Sequence, residues 1–267
     1  MLKRKIYSEL LDWKNRRKNE GLKKCLLIKG ARQVGKSYIV NEFGKNEYES
    51  FISINFFKNP ELKEIFKGEL TSEAIYKRIS ANIPGVKLVP GNTLVFLDEI
   101  QRCGNARTAI KFLAEDFRFD VISSGSLLGL SYGMDADDEV DEIESVPVGY
   151  ETQLIMYSLD YEEFLWANGY TSETINELKE YLGSDKQIHE SIHSKYESLF
   201  REYMVVGGMP EVVEDFVQYQ DFNRVYEIQE NILNEYKDDI SKHAKDREKQ
   251  LVRMCYDAIP KQLAKEL

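Results

Sequence analysis

Cysteine and proline are scarce in this 267-residue sequence, and long apolar runs are missing. Its three cysteines, Cys25, Cys103 and Cys255, lie far apart, form no C-x-x-C pair and leave one over if any two are bridged. That excludes a disulfide-stapled scaffold and points to a reducing compartment. No stretch of about 18 apolar residues occurs, so no membrane-spanning helix is expected. The chain opens Met1-Leu2-Lys3-Arg4, but Glu9, Asp12 and Asn15 fall where an export signal needs an apolar core. A soluble, cytoplasmic protein with no membrane association is therefore expected. No internal repeat is present.

Positive charge is also in deficit. A net charge of -10 argues against a surface that coats nucleic acid throughout, because such surfaces concentrate cations to displace counterions from phosphates. One basic stretch stands out: Lys3, Arg4, Lys5, Lys14, Arg16, Arg17, Lys18, Lys23 and Lys24 face only Glu9, Asp12 and Glu20. It reads as the solvated face of a helix. Residues 135–144 are the opposite extreme, with seven acidic residues in ten, and read as a solvated, extended loop.

What is there begins with an amphipathic pattern over Lys5 to Lys18, with Ile6, Leu10, Leu11 and Trp13 near helical spacing. Short apolar runs follow at Cys25–Ile28, Phe51–Ile54, Leu94–Leu97 and Val121–Ile122, with a fifth near Thr152–Tyr157. Helical stretches at Ser72–Ala81 and Ala106–Phe117 alternate with them, as a parallel sheet requires. Beyond the fifth strand only helices are expected. Asp160 and Glu163 can form a reciprocal cap, with Leu159 and Phe164 as its staple. Further helices are expected over 171–182, 188–204, 210–219 and 222–242, with Pro210 in a first turn.

The chemistry lies between these elements. Gly30-Ala31-Arg32-Gln33-Val34-Gly35-Lys36-Ser37 fits G-x-x-x-x-G-K-[ST] after an apolar strand and before a helix. Glycines let backbone N–H groups close on phosphate oxygens, Lys36 adds charge and Ser37 offers a hydroxyl to magnesium. Tyr38 continues the segment. Leu94-Val95-Phe96-Leu97 then ends in Asp98 and Glu99, two carboxylates at the carboxyl end of a strand, where parallel sheets bind ligands. Asp98 suits the metal, and Glu99 suits the water that attacks the terminal phosphate. Ser124 and Ser126, at the end of the fourth strand, are candidates to sense that phosphate. Charge compensation calls for an arginine, with Arg32, Arg102, Arg107 and Arg118 all open.

A second motif competes. His189-Glu190-Ser191-Ile192-His193 matches H-E-x-x-H, in which i, i+4 spacing would set both imidazoles on one helix face for zinc. Its flanks, Gln187, Ser194 and Lys195, are polar, so a solvated helix is the preferred reading.

The phosphate loop, Asp98-Glu99-Ile100-Gln101-Arg102, Ser124-Gly125-Ser126-Leu127-Leu128-Gly129, Pro147-Val148-Gly149 and Gly207-Gly208-Met209-Pro210 together resemble the AAA-like ATPases of bacteria and archaea that precede a C-terminal domain of unknown function. The resemblance implies a P-loop α/β fold whose parallel sheet has the order 5-1-4-3-2, ATP and magnesium as ligands, and a helical lid. It maps the magnesium aspartate onto Asp98 and the catalytic glutamate onto Glu99. The expected division is an ATPase domain over 1–158, a lid over 159–245, and the start of a truncated C-terminal region over 246–267. In the family that region continues into a winged helix and a nuclease-like domain. Tyr150 departs from the basic residue often found after Pro-x-Gly in this family. The leading expectation is an ATP-hydrolysing switch coupled to a protein partner or DNA, with a homo-oligomer allowed. A phosphotransferase and a DNA-binding module with a regulatory nucleotide site are the alternatives.

Overall fold

Where strands and helices alternate, the chain builds a five-stranded sheet. In the computed structural model, residues 2–126, 147–181, 184, 187–243 and 248–263 are described. The acidic run 135–144, Leu127 to Gly129 of the family pattern, the boundary at 245 and the last four residues lie outside them. The chain divides into two compact units, Met1–Glu163 and Phe164–Leu267.

The first unit holds strands β1 (Cys25–Gly30), β2 (Ser50–Asn55), β3 (Thr93–Asp98), β4 (Asp120–Ser126) and β5 (Glu151–Met156). All neighbours are parallel and the order is β2-β3-β4-β1-β5, the expected 5-1-4-3-2 read from the other edge. Every residue of β3 is buried, which is why it reads as an apolar run without alternation. The period of two survives in the destination of its side chains. Leu26, Ile28, Leu94 and Phe96 enter one core with α1 (Ile6–Glu20) and α2 (Lys36–Glu47). Leu27, Val95 and Leu97 enter the other with α3 (Ser72–Asn82) and α4 (Gly104–Asp116). Each helix turns its apolar stripe inward: Ile6, Leu10 and Trp13 of α1, and Ile75, Tyr76 and Ile79 of α3.

The basic N-terminal stretch is not simply a solvated face. Arg17 is 2% exposed, and its guanidinium donates to Asp120 at 2.5 Å and to the carbonyls of Leu22, Lys24 and Phe119. Tyr48 donates to the other oxygen of Asp120 at 2.7 Å. Loop carbonyls at the amino edge of the sheet need donors, and a planar five-donor fork can serve several at once. Arg4 is buried too, at the opposite edge of the same sheet.

Helix α5 (Tyr161–Ala167) begins at the end of the first unit, with the reciprocal cap in place. Glu163 N–H donates to Asp160 at 2.9 Å, and Asp160 N–H donates to Glu163 at 3.1 Å. The second unit contains α6 (Ser172–Lys179), α7 (Glu190–Val206), α8 (Pro210–Tyr219), α9 (Phe222–His243) and α10 (Lys249–Leu263). Phe164 stacks on Phe216 at 6.3 Å and packs against Tyr203 at 5.4 Å, with Leu199, Val206, Val212 and Val213 also buried.

Candidate active site

The loop between β1 and α2 is shaped by backbone demands. A β-carbon on Gly30 would sit 2.4 Å from the carbonyl oxygen of Met156 on the neighbouring strand, so only hydrogen fits there. Gly35, the N-cap of α2, has φ +93°, a conformation that disfavours side chains. Gln33 takes φ +64° without being glycine, a local strain of the kind found at ligand-binding turns. Val34 is buried beneath the loop, while Ala31, Arg32 and Gln33 face solvent. The helix that follows directs its unpaired N–H groups and partial positive charge at the loop.

Lys36 is 6% exposed and folds back over this loop. Its Nζ donates to the carbonyls of Gly30 at 3.0 Å and Ala31 at 2.6 Å. Burial lowers its pKa below the ordinary lysine value, and the charges of Glu99 and Asp98 partly restore it. Tyr38, one residue beyond Ser37, is 53% exposed on the first turn of α2.

Strand register assembles the other half. Asn55 pairs with Asp98 across β2 and β3, and Leu97 with Ser123 across β3 and β4, so Asn55 and Asp98, which end their strands, and Ser124, two residues before the end of β4, lie on three adjacent strands side by side. Asp98 is 3% exposed. Its Oδ1 accepts from Ser37 Oγ at 3.0 Å and from Ser124 Oγ, and its Oδ2 accepts from Asn55 Nδ2 at 2.6 Å. Asn55 is itself oriented, because its side-chain oxygen accepts the N–H groups of Phe57 at 3.0 Å and Lys58 at 2.8 Å. Sequence reasoning missed Asn55; its only signal was a polar residue directly after the run Phe51–Ile54. Ser124 is the serine that reaches Asp98, whereas Ser126 is buried beside Gly30 in the β1–β4 register.

Glu99 leaves β3 in the left-handed region, φ +57°, and opens a single 3₁₀ turn over Ile100–Arg102. Gln101 Nε2 donates to its carboxylate at 2.5 Å, while Gln101 Oε1 is buried without a hydrogen-bond partner among the described residues. A non-glycine residue with positive φ directly after Asp98 is strained backbone at the mouth of the site.

Geometry separates the four candidate arginines. Arg107 is buried against Glu151 at the start of β5, and Arg118 pairs with Asp116 at 2.6 Å just before β4. Both are therefore at the amino edge of the sheet, away from Asp98, and are withdrawn as candidates. Arg102 lies over the Phe57 ring at 4.7 Å, and Arg32 is on the exposed loop; both are at the carboxyl edge. Tyr150 also lies at the amino edge, where its carbonyl accepts from Cys25 N–H. In the second unit, His189 is the N-cap of α7 rather than part of it, and its Nδ1 accepts from Ser191 N–H at 3.3 Å. The two histidines are one turn apart, since His193 N–H donates to the His189 carbonyl at 3.1 Å, but His189 has extended backbone and its ring is turned to cap the helix.

A loop from β1 to α2, an acidic strand end two strands away and an interposed β4 define an AAA-like P-loop ATPase. The chain belongs to the AAA domain family, whose model matches residues 22–165, and residues 197–267 match a domain of unknown function (DUF8612). No curated protein sequence matches it. Among solved structures it is similar to the Walker-type ATPase PABY2304 of Pyrococcus abyssi (17% identity, 89% of this chain and 73% of that one, TM-score 0.47). It is also similar to PCH-2 of C. elegans (12% identity, 79% and 58%, TM-score 0.40). A third similar structure is the Pif1 helicase from Candida albicans (12% identity, 71% and 50%, TM-score 0.34). No helix among the described residues is long and apolar enough to cross a membrane.

Proposed function

We propose that this nucleotide-binding domain holds ATP with magnesium at residues 30–37 and hydrolyses it, the cycle serving as a molecular switch. One observation carries the reading: Asp98 gathers Ser37 from the loop, Ser124 from β4 and Asn55 from β2, all neutral donors, at the carboxyl edge of the sheet. Ser37 Oγ and Asp98 Oδ1 are hard oxygen donors and fit magnesium, which keeps waters and phosphate oxygens in its remaining positions. The metal, when bound, would neutralise charge on the phosphates.

In this reading the backbone of Gly30, Ala31, Arg32, Gln33, Val34 and Gly35 wraps the phosphates, with Tyr38 beside them on α2. Lys36 exchanges the carbonyls of Gly30 and Ala31 for phosphate oxygens. Glu99, tethered by Gln101, orients the attacking water, and Ser124 reports the terminal phosphate to Asp98. Ser126 supports the first glycine. Arg32 or Arg102, in cis or from a second subunit of a homo-oligomer, compensates charge in the transition state. The helical unit acts as the lid that passes the change to a protein partner or DNA in the cytoplasm. Burial of Arg4 and Arg17 takes two cations from the basic stretch, which weakens the alternative of a nucleic-acid face there.

Phosphate release from ATP and magnesium, parent against Glu99→Gln, tests the reading. Release that the substitution removes, with ATP binding kept, supports hydrolysis by this site. Parental release from the variant sinks the role of Glu99. Transfer to an added acceptor in place of water would favour the phosphotransferase.

A further inference from the structure

Arg4 is remote in sequence from the phosphate loop, yet its side chain is buried against it. Nη1 donates to the carbonyl of Val34 at 3.0 Å, Nη2 donates to the carbonyl of Tyr157 at 2.7 Å, and Nε lies 3.2 Å from Glu163 Oε1. The carboxylate is fixed in turn, because Glu163 accepts the N–H groups of Lys5 at 2.6 Å and Asp160 at 3.1 Å. One guanidinium thus joins the loop, the residue just after β5 and the cap of α5. Its planar fork donates to the two carbonyls while Nε, which makes no hydrogen bond among the described residues, stands beside the carboxylate as an ion pair; a lysine ammonium on a flexible stem could not hold all three in one geometry.

We infer that Arg4 is a positioning residue for the phosphate loop, fixing the Val34–Gly35 peptide so that the Gly35 N–H is presented to a bound phosphate; this rests on the nucleotide reading above. The peptide is trans, as are all those described, so its C=O and N–H point in opposite directions across a plane. Holding the Val34 oxygen on Arg4 therefore turns the Gly35 N–H away from Arg4. Gly35 holds φ +93° and, having no β-carbon, lets this peptide rotate at little steric cost; Lys36 follows it directly. Without Arg4 the Val34 carbonyl loses its buried donor and the Glu163 carboxylate loses its cation, so the peptide flips to find other partners. Phosphate affinity then falls because an N–H has left the cradle, although Arg4 itself touches no ligand.

The test compares Arg4→Gln, Arg4→Lys and Glu163→Gln with the parent in equilibrium binding of ATP with magnesium, in KM and kcat for phosphate release, and in thermal midpoint. Arg17→Gln is the comparator for loss of a buried arginine at the other edge of the sheet, and Lys36→Ala is the comparator for the loop itself. Arg4→Gln is expected to weaken ATP binding and raise KM tenfold or more, with kcat changing less than threefold. Arg4→Lys should recover part of the affinity, and Glu163→Gln should shift it the same way by less. Arg17→Gln should lower the thermal midpoint and leave ATP affinity at the parental value. A folded Arg4→Gln that binds ATP within twofold of the parent, while Lys36→Ala loses binding, overturns the inference alone. Equal weakening by Arg17→Gln also overturns it, since general loosening would then explain both. If the parent shows no Lys36-dependent binding, the nucleotide reading falls and the inference with it. Should Arg4→Gln not fold, Arg4→Lys and Glu163→Gln decide, and parental affinity in both overturns the role.

Discussion

Buried charges around the sheet are held in two opposite ways. At the amino edge, carboxylates meet guanidinium groups: Asp120 with Arg17, and Glu151 with Arg107. Backbone carbonyls take further donors of Arg17. At the carboxyl edge, Asp98 is just as buried but holds only two hydroxyls and an amide, and Lys36 holds only carbonyls. A buried charge resting on neutral donors is expensive, and it persists where a ligand of opposite charge is to be received. Closed pairs, with Arg4 and Glu163 a further one at the carboxyl edge, give stability; Asp98 and Lys36 leave chemistry to be completed.

Arg17→Ala should break this contrast most, because it removes a buried guanidinium that serves three carbonyls and strips a partly buried carboxylate of its cation. It should cost roughly 3–5 kcal/mol of unfolding free energy in a denaturant titration, with ATP affinity kept in the folded fraction. A loss of affinity that tracks stability would merge the two edges into one function. At the carboxyl edge, Lys36→Ala should weaken ATP binding about 100-fold or more, seen by calorimetry, with a small change in thermal midpoint. A collapse of the fold would instead class Lys36 with the structural charges.

Asn55→Ala sharpens the comparison further. It removes an orienting hydrogen bond from Asp98 while leaving the carboxylate, and about a 10- to 100-fold rise in the magnesium concentration needed for phosphate release is expected. An unchanged magnesium dependence would show that Ser37 and Ser124 suffice.

The smallest effect concerns pH. Burial holds the Lys36 pKa below 10.5, and bound phosphate would raise it, so ATP affinity should be flat below the free-protein pKa and decline as pH rises through it. The decline should begin before an exposed lysine would titrate, and a constant affinity up to that point would show that Lys36 keeps its proton. Without ligand the sign reverses for stability. The unfolded chain binds this proton more tightly than the folded one, so Lys36 is a liability at neutral pH that lifts as pH rises through its folded pKa.

Much of this was legible from local spacing. The apolar runs, the glycine-rich octet, the Asp98-Glu99 pair and the Asp160-Glu163 cap are all short-range patterns, and each sits in the element its spacing implies. The helix expected from 188 starts two residues later for a local reason, since the His189 side chain accepts from Ser191 N–H and caps the helix instead of joining it. Asn55, by contrast, gains its meaning 43 residues downstream, where the β2–β3 register sets it against Asp98. The same holds for setting Ser124 against Asp98 and Ser126 beside Gly30, and for sending Arg107 and Arg118 to the far edge.

By itself, then, the sequence determined a parallel α/β sheet with a phosphate loop and an acidic strand end, because hydrophobic period, glycine and capping residues act within a few positions of themselves. Only the tertiary structure decided which neutral donors surround Asp98, which arginines are spent on structure and that Arg4 grips the loop. Those are partnerships across strands and helices, set by register and packing that no local pattern encodes.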